Sequence, residues 1–188
     1  MSERSAIDVL INRVSCGLLA APAPTSADLQ IIQQAALRAA DHRQLRPWRF
    51  LVIEGPGLER LGELFLAAKT HDDPALGAEE AARTRSLPLR APLLIVAIAS
   101  CTEDPKVPEL EQLLSAGAAV QNMLNAAFAL GYGAMWRTGD LASNPAVREG
   151  LGLGGNETIV GFLYLGTPRG GLRDAPTLDA ANFFKAWP

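Results

Sequence analysis

Residues 115–138 read SAGAAVQNMLNAAFALGYGAMWRT, and the fold turns on this stretch. Small and apolar side chains, broken only by Gln121, Asn122 and Asn125, run without a proline up to Leu130. That predicts the end of a long helix over Glu109–Leu130, closed by Gly131 at the usual C-terminal glycine position. A strand over Gly133–Arg137 follows at once. Ser115, Ala116, Gly117, Ala118, Ala119, Ala126 and Ala127 make the helix rich in small residues. Such a stripe suits either a close approach of two helices or tight packing inside one subunit.

Outward from this core, Trp48–Ile53, Leu93–Ala99 and Thr158–Leu165 read as further strands. Trp48–Ile53 is apolar on both faces apart from Arg49, as expected of a buried strand. Helices are expected over Ala6–Ser15, with Val9, Leu10 and Arg13 on one side and Gly17 as the stop. Another runs from a Thr25/Asp28 capping box, with Leu29, Ile32 and Ala36 as its apolar face, to Ala40–Asp41. A third is marked by Leu58, Leu61, Leu64 and Phe65 and reaches Ala68. A short charged one reaches Arg85, and another starts at Ser143 and Pro145. Helices alternating with strands indicate α/β or α+β. Four strands are few for this length, and the C-terminal tail is a candidate to add one on a partner chain.

The 188 residues suit one domain. Hydrophobic residues are 48%, charged residues 20%, and the net charge is -3, so no electrostatic drive toward nucleic acid or an anionic membrane is expected. Cys16 and Cys101 form no CxxC, and His42 and His71 are the only histidines. A disulfide framework and a metal centre are therefore not expected. Met1-Ser-Glu-Arg precedes no long apolar run, and Leu93–Ala99 is too short to span a bilayer. A cytoplasmic location is the expectation.

No GxSxG, HExxH or GxxxxGK[ST] is present, and Gly150–Gly155 reads as a flexible loop. No catalytic side chain is expected, which points to a borrowed cofactor. Cations and hydroxyls gather at Arg13 and Ser15, around Arg38, His42, Arg43 and Arg46, at Arg137 and Thr138, and at Arg169 and Arg173. Arginine grips a phosphate through two parallel bonds, and a hydroxyl adds a donor. Each arginine alone also fits ordinary surface charge. Trp48 reads as core. Trp136, at a strand end, fits core or ligand wall equally. His42 reads most simply as solvated.

Seven stretches occur in an order that resembles the nitroreductase family of FMN-dependent oxidoreductases, in particular its short branch of YdjA-like NAD(P)H nitroreductases. They are Leu10-Ile-Asn-Arg-Val-Ser15, Arg38-Ala-Ala-Asp-His-Arg-Gln-Leu-Arg-Pro-Trp-Arg-Phe50, Arg90-Ala-Pro92, Lys106-Val-Pro108, Glu111-Gln-Leu-Leu-Ser-Ala-Gly117, Gly131-Tyr-Gly-Ala-Met-Trp-Arg-Thr-Gly139 and Ile159-Val-Gly-Phe-Leu-Tyr-Leu-Gly-Thr-Pro168. The resemblance implies an α+β fold with a mainly antiparallel central sheet flanked by helices. It also implies an interlocked homodimer whose tail crosses to the partner and whose FMN lies at the interface.

By position it implies that Arg13, Val14 and Ser15 hold FMN from one chain, that Arg38 and His42 reach it from the other, and that Trp136, Arg137 and Thr138 line it from the first. It places NADH or NADPH at Ala126, Ala127, Phe128, Ala129, Leu130 and Gly131. The implied activity is NAD(P)H-dependent reduction of nitroaromatics, quinones or similar small acceptors by ping-pong kinetics. Dehalogenation, oxidative cyclisation, flavin breakdown and non-enzymatic FMN binding remain alternatives.

Two departures stand out. Relatives often read R-x-S-x-[KR], whereas Gly17 and Leu18 follow Cys16 here. The cation near flavin N1 and O2 is then absent, and Arg137 or a backbone dipole must substitute, or the potential must be lower. Before Pro47-Trp48, Gln44 and Arg46 replace the asparagine and glutamine common in relatives.

Overall fold

A computed structural model describes residues 5–187; the Met1–Arg4 start lies outside them. Its helices are α1 (Ala6–Asn12), α2 (Ser26–Ala36), α3 (Pro56–Asp72), α4 (Ala78–Ser86), α5 (Glu109–Ala129), α6 (Asp140–Ser143) and α7 (Pro145–Gly150). Its strands are β1 (Leu19–Ala20), β2 (Trp48–Glu54), β3 (Leu93–Ser100), β4 (Gly133–Arg137) and β5 (Glu157–Pro168).

All strand pairs are antiparallel, as the resemblance implies. The path is β1-β5-β3-β2, with β4 also on β5. β3 is buried on both faces, which accounts for its unbroken apolar run. Leu94, Val96 and Ile98 face a core that includes Leu58, Leu61 and Phe65 of α3 and Val147 of α7. Leu93, Ile95 and Ala97 face a second core with Ile32 and Ala36 of α2 and Ala119, Val120, Met123 and Ala127 of α5. Period-two alternation thus turns one strand into the floor of two helical layers. Burying the larger of these side chains contributes roughly 1.5–3 kcal/mol each.

Several boundaries depart from expectation. α1 stops at Asn12, and Arg13 has extended backbone (φ -60, ψ 129). The chain there leaves the helix so that the Cys16 amide can donate to the Ala134 carbonyl at 2.8 Å; Gly17 is not the stop. α2 begins as read, the Thr25 hydroxyl oxygen accepting from the Asp28 amide, but it ends at Ala36 rather than Ala40–Asp41. α3 runs on to Asp72. β2 is an edge strand, half-buried along its length with Val52 42% exposed, and not an interior one. Ser143 ends α6, and Asn144 caps α7 by accepting from the Ala146 and Val147 amides. The fifth strand is β1, which pairs with Thr167 and Pro168; among the described residues the tail forms only a short turn at Ala180–Asn182.

Within α5, Ala116 and Ala119 are buried in this chain's own core, while Ser115, Gly117 and Ala118 stay half-buried. The small-residue stripe therefore packs inside the subunit on one side and leaves a second side partly open. No helix among the described residues is long and apolar enough to cross a membrane.

Candidate functional site

The site is built where the extended segment after α1 lies against β4. Val14 is buried with Val9 and Phe128, and Leu172 and Ala175 of the tail pack on the same cluster. This anchors the segment, and the Cys16 amide bond to Ala134 aligns it with the strand. Arg13 follows α1 directly. Its Nη1 is buried and has no hydrogen-bond partner among the described residues. A buried guanidinium N–H left unpaired costs about 1–3 kcal/mol, a cost that an acceptor on a bound ligand would remove; Arg148 Nε is a second such atom among the described residues.

Across from it, a β-bulge shapes the wall of the site. β3 pairs Ala97 with Gly161 and then Ile98 with Ile159, so Val160 is skipped. The Val160 carbonyl accepts from the Trp136 indole N–H at 3.1 Å. Bulges of this kind re-aim a side chain beside a site. A Cβ on Gly161 would overlap the Trp136 indole nitrogen and come within 2.9 Å of the Arg137 carbonyl oxygen. Only glycine therefore permits this approach. The Trp136 ring also passes Gly117 of α5, whose Cβ would lie 3.8 Å from it. Trp136 is thus held like a core residue while staying half-exposed.

Arg137 ends β4 with its guanidinium 6.0 Å from the centre of the Tyr164 ring, a cation–π contact. Its Nη2 lies 3.3 Å from where a Cβ on Gly17 would stand, and Met135 Cε lies 3.1 Å from the same point. The space left by Gly17 is therefore bordered by an arginine head. Burial pushes the Tyr164 hydroxyl above its ordinary pKa, and the charges of Arg137 and Arg90 pull it back. Thr138 and Gly139 follow in exposed backbone.

Arg38 and His42 stand elsewhere. Arg38 follows α2 and lines a separate cavity of about 310 Å³ with Asp41, Gln44, Arg46 and Trp48. His42 Nδ1 lies 2.9 Å from Glu111 Oε2 of α5, and Arg43 Nε lies 3.6 Å from Asp104. After His42 the backbone is left-handed at Arg43 (φ 62), Gln44 (φ 55) and Arg46 (φ 50). Non-glycine residues rarely adopt such angles, which persist where the surroundings over-determine them. The Asp41 carboxylate, accepting from the Arg46 amide at 2.7 Å, is one such restraint. Among the described residues, no hydrogen bond or ion pair joins Arg38 or His42 to Arg13, Ser15 or Arg137.

The stretch 126–131 forms the last turn of α5 and its glycine cap, with Gly131 at φ 87. The side chains of Ala127 and Phe128 are buried in the core, whereas Ala129 is exposed and Ala126, Leu130 and Gly131 are half-buried. Glu111, which orients His42, was not among the expected site residues. Its signals in the sequence are its place at the start of the long helix and at the head of the matching stretch Glu111–Gly117. Trp48, read as core, is half-buried and packs against two core clusters.

The folded chain therefore lays Cys16 and Gly17, which follow Arg13–Ser15, against Ala134 and Arg137 of β4, while Arg38 lines another cavity and His42 meets Glu111. A sequence model of the nitroreductase family matches residues 11–167. An Escherichia coli K12 protein named "Putative NAD(P)H nitroreductase YdjA" is 48% identical over 166 residues, 87% of this chain and 88% of that protein. The crystal structure of a nitroreductase-like family protein from Bacillus cereus superposes with a TM-score of 0.82 at 24% identity, covering 100% of this chain and 98% of that one. A Bacteroides fragilis nitroreductase solved with bound FMN gives 0.74 at 21% identity, covering 98% of this chain and 100% of that one. With the antiparallel sheet, the ordered motifs and these matches in agreement, the chain belongs to the nitroreductase family.

Proposed function

We propose that this chain is an FMN-dependent NAD(P)H oxidoreductase that reduces nitroaromatics, quinones or similar small acceptors, and that it works as a homodimer with FMN at the interface. The observation that carries the reading is the buried Arg13 Nη1, without a partner among the described residues, on an extended segment whose Gly17 lies beside Arg137. An FMN phosphate is the kind of acceptor that this guanidinium lacks. When bound, FMN supplies the redox chemistry, accepting a hydride from the nicotinamide and passing electrons to the acceptor.

The chain's residues bind and orient. Arg13 and Ser15 hold the phosphate and ribityl end, and Val14, anchored in its cluster, fixes their backbone. Trp136 forms an apolar wall, its indole N–H held by the Val160 carbonyl and its ring lying close against Gly161. Arg137 stands at the space beside Gly17, which supports reading it as the cation that replaces the missing side chain there. The nicotinamide is assigned to the 126–131 turn, chiefly its backbone and Ala129, since Ala127 and Phe128 are turned inward. No side chain is assigned an acid–base step; His42 is read as a flavin contact whose ring is set by Glu111.

Exposed apolar side chains support the dimer. Ile7, Leu10 and Ile11 on α1 are 64%, 62% and 66% exposed, Leu110 and Leu114 on α5 are 66% and 65%, and Phe183, Phe184 and Trp187 in the tail are 70%, 79% and 96%. Apolar surface on this scale marks an interface, and the separation of Arg38 and His42 from Arg13 fits a site completed by a second copy. The decisive test is steady-state turnover at varied NADPH and quinone. Parallel double-reciprocal lines are expected; intersecting lines, or no NAD(P)H oxidation by FMN-loaded protein, would reject the reading.

A further inference from the structure

A second cavity, of about 400 Å³, opens beside Gly17 and is lined by Arg90, Arg137 and Arg169 together with Leu18 and Leu89. The three arginines come from different parts of the fold: the turn before β3, the end of β4 and the residue after β5. Their meeting is therefore a tertiary feature and not a run of charge in sequence. The Arg169 amide donates to the Leu18 carbonyl at 2.8 Å, which fixes that side of the cavity.

No carboxylate lines this cavity. None of the three side chains makes a hydrogen bond or an ion pair among the described residues. Five other cations form ion pairs, Arg43 with Asp104, Arg49 with Glu157, Lys69 with Asp140, Arg83 with Glu80 and Arg85 with Glu63, whereas Arg13, Arg38, Arg46, Arg60 and Arg173, like the cavity's three, form none among the described residues. Like charges converging in a concavity repel one another and focus a positive field into it. Leu18 and Leu89 are 70% and 51% exposed, so an apolar wall stands beside the cations. The volume suits a small molecule.

We infer that this cavity is a subsite for an oxyanion carried by the electron acceptor. It favours acceptors with an apolar or aromatic body and a carboxylate, sulfonate or phosphate group. The inference rests on the flavin oxidoreductase reading, which assigns Arg13 to the FMN phosphate and Arg137 to the flavin edge. Arg90 and Arg169 have no part in that assignment. They are free to grip a planar oxyanion in the forked geometry that guanidinium offers. Arg137 is shared, so the anion would be held beside the flavin edge that Arg137 serves.

The test compares 4-nitrobenzoate with its methyl ester, on wild type and on Arg90→Ala/Arg169→Ala, with Arg169→Ala alone as a milder variant. Two readouts are taken on FMN-loaded protein: kcat/KM for each acceptor, and calorimetric affinity for each without electron donor. Wild type is expected to favour the carboxylate by tenfold or more, as charged hydrogen bonds allow. In the double variant that ratio is expected to fall to within about threefold, and 0.5 M salt should lower it in wild type only. A wild-type ratio near one, or a ratio that the variants leave unaltered, overturns the inference. So does a double variant that loses FMN but keeps riboflavin, because the arginines would then belong to the FMN phosphate. If the protein takes up no FMN at all, the flavin reading fails; calorimetry of 4-nitrobenzoate on that protein still reports on the cavity.

Discussion

Replacing Arg13 by alanine is expected to lower FMN affinity while leaving flavin-free stability nearly unchanged. In the FMN-bound protein Arg13 would make a charge-assisted bond to phosphate, contributing about 1.5–3 kcal/mol. FMN affinity should therefore fall between about tenfold and a hundredfold. In the flavin-free protein the same guanidinium has a buried Nη1 without a partner among the described residues, and removing it relieves a penalty of about 1–3 kcal/mol. That gain offsets the loss of the side chain's apolar stem. Flavin-free stability should consequently stay within about 1 kcal/mol of wild type. FMN fluorescence quenching on apoprotein and urea unfolding of the same sample read the two effects. Arg173→Ala, on an exposed tail residue, is the control and should alter neither. Equal FMN affinity in the Arg13 variant would show that the phosphate is misplaced. A large loss of flavin-free stability would show that Arg13 holds the fold and not the ligand.

Gly161→Ala should destabilise the protein by about 2–3 kcal/mol in urea unfolding, since its Cβ collides with Trp136 and with the Arg137 backbone, which cannot swing aside; a stability equal to wild type would contradict the bulge. Glu157 is held down to about 2 by hydrogen bonds from the Arg49 guanidinium, Nε to Oε1 at 2.5 Å and Nη2 to Oε2 at 2.6 Å. Its stabilisation is present above the ordinary 4.5 and is lost as pH falls from there toward about 2. Arg49 is 35% exposed and therefore screened, so about 1–2 kcal/mol is expected to separate the pH 5 and pH 2.5 stabilities of wild type beyond those of Glu157→Gln; identical acid profiles would remove the pair from the account. His42→Gln should weaken FMN binding more than it slows FMN-saturated enzyme. A variant that keeps its flavin but loses nearly all turnover would make His42 a proton-transfer residue.

The legible part of this fold is the part set by local chemistry. Gly131 ends α5 because a left-handed residue was needed there, and the limits of β4 follow from the short apolar run after it. The capping pair Thr25/Asp28 placed the start of α2 equally well. Tertiary demands were hidden. Arg13 carries helix-compatible spacing, yet it leaves α1 because the Ala134 carbonyl competes for the segment. Leu19–Ala20 is too short to announce a strand, and β2 looks interior although it is an edge, since β-branched and aromatic residues suit both. In the candidate site, arginine positions could be suspected from type alone. That Arg90, Arg137 and Arg169 converge, that Glu111 reaches His42, and that Gly161 makes room for Trp136 depend on contacts between distant segments, which one sequence does not display.

The most direct test of the central claim is the flavin itself. The purified protein, reconstituted with FMN and freed of excess, should be yellow with about one FMN per chain, behave as a homodimer in light scattering, and lose its flavin absorbance when NAD(P)H is added without oxygen. A colourless protein that takes up no FMN on reconstitution, or a flavin-loaded one whose absorbance NADH and NADPH both leave unchanged, would contradict it.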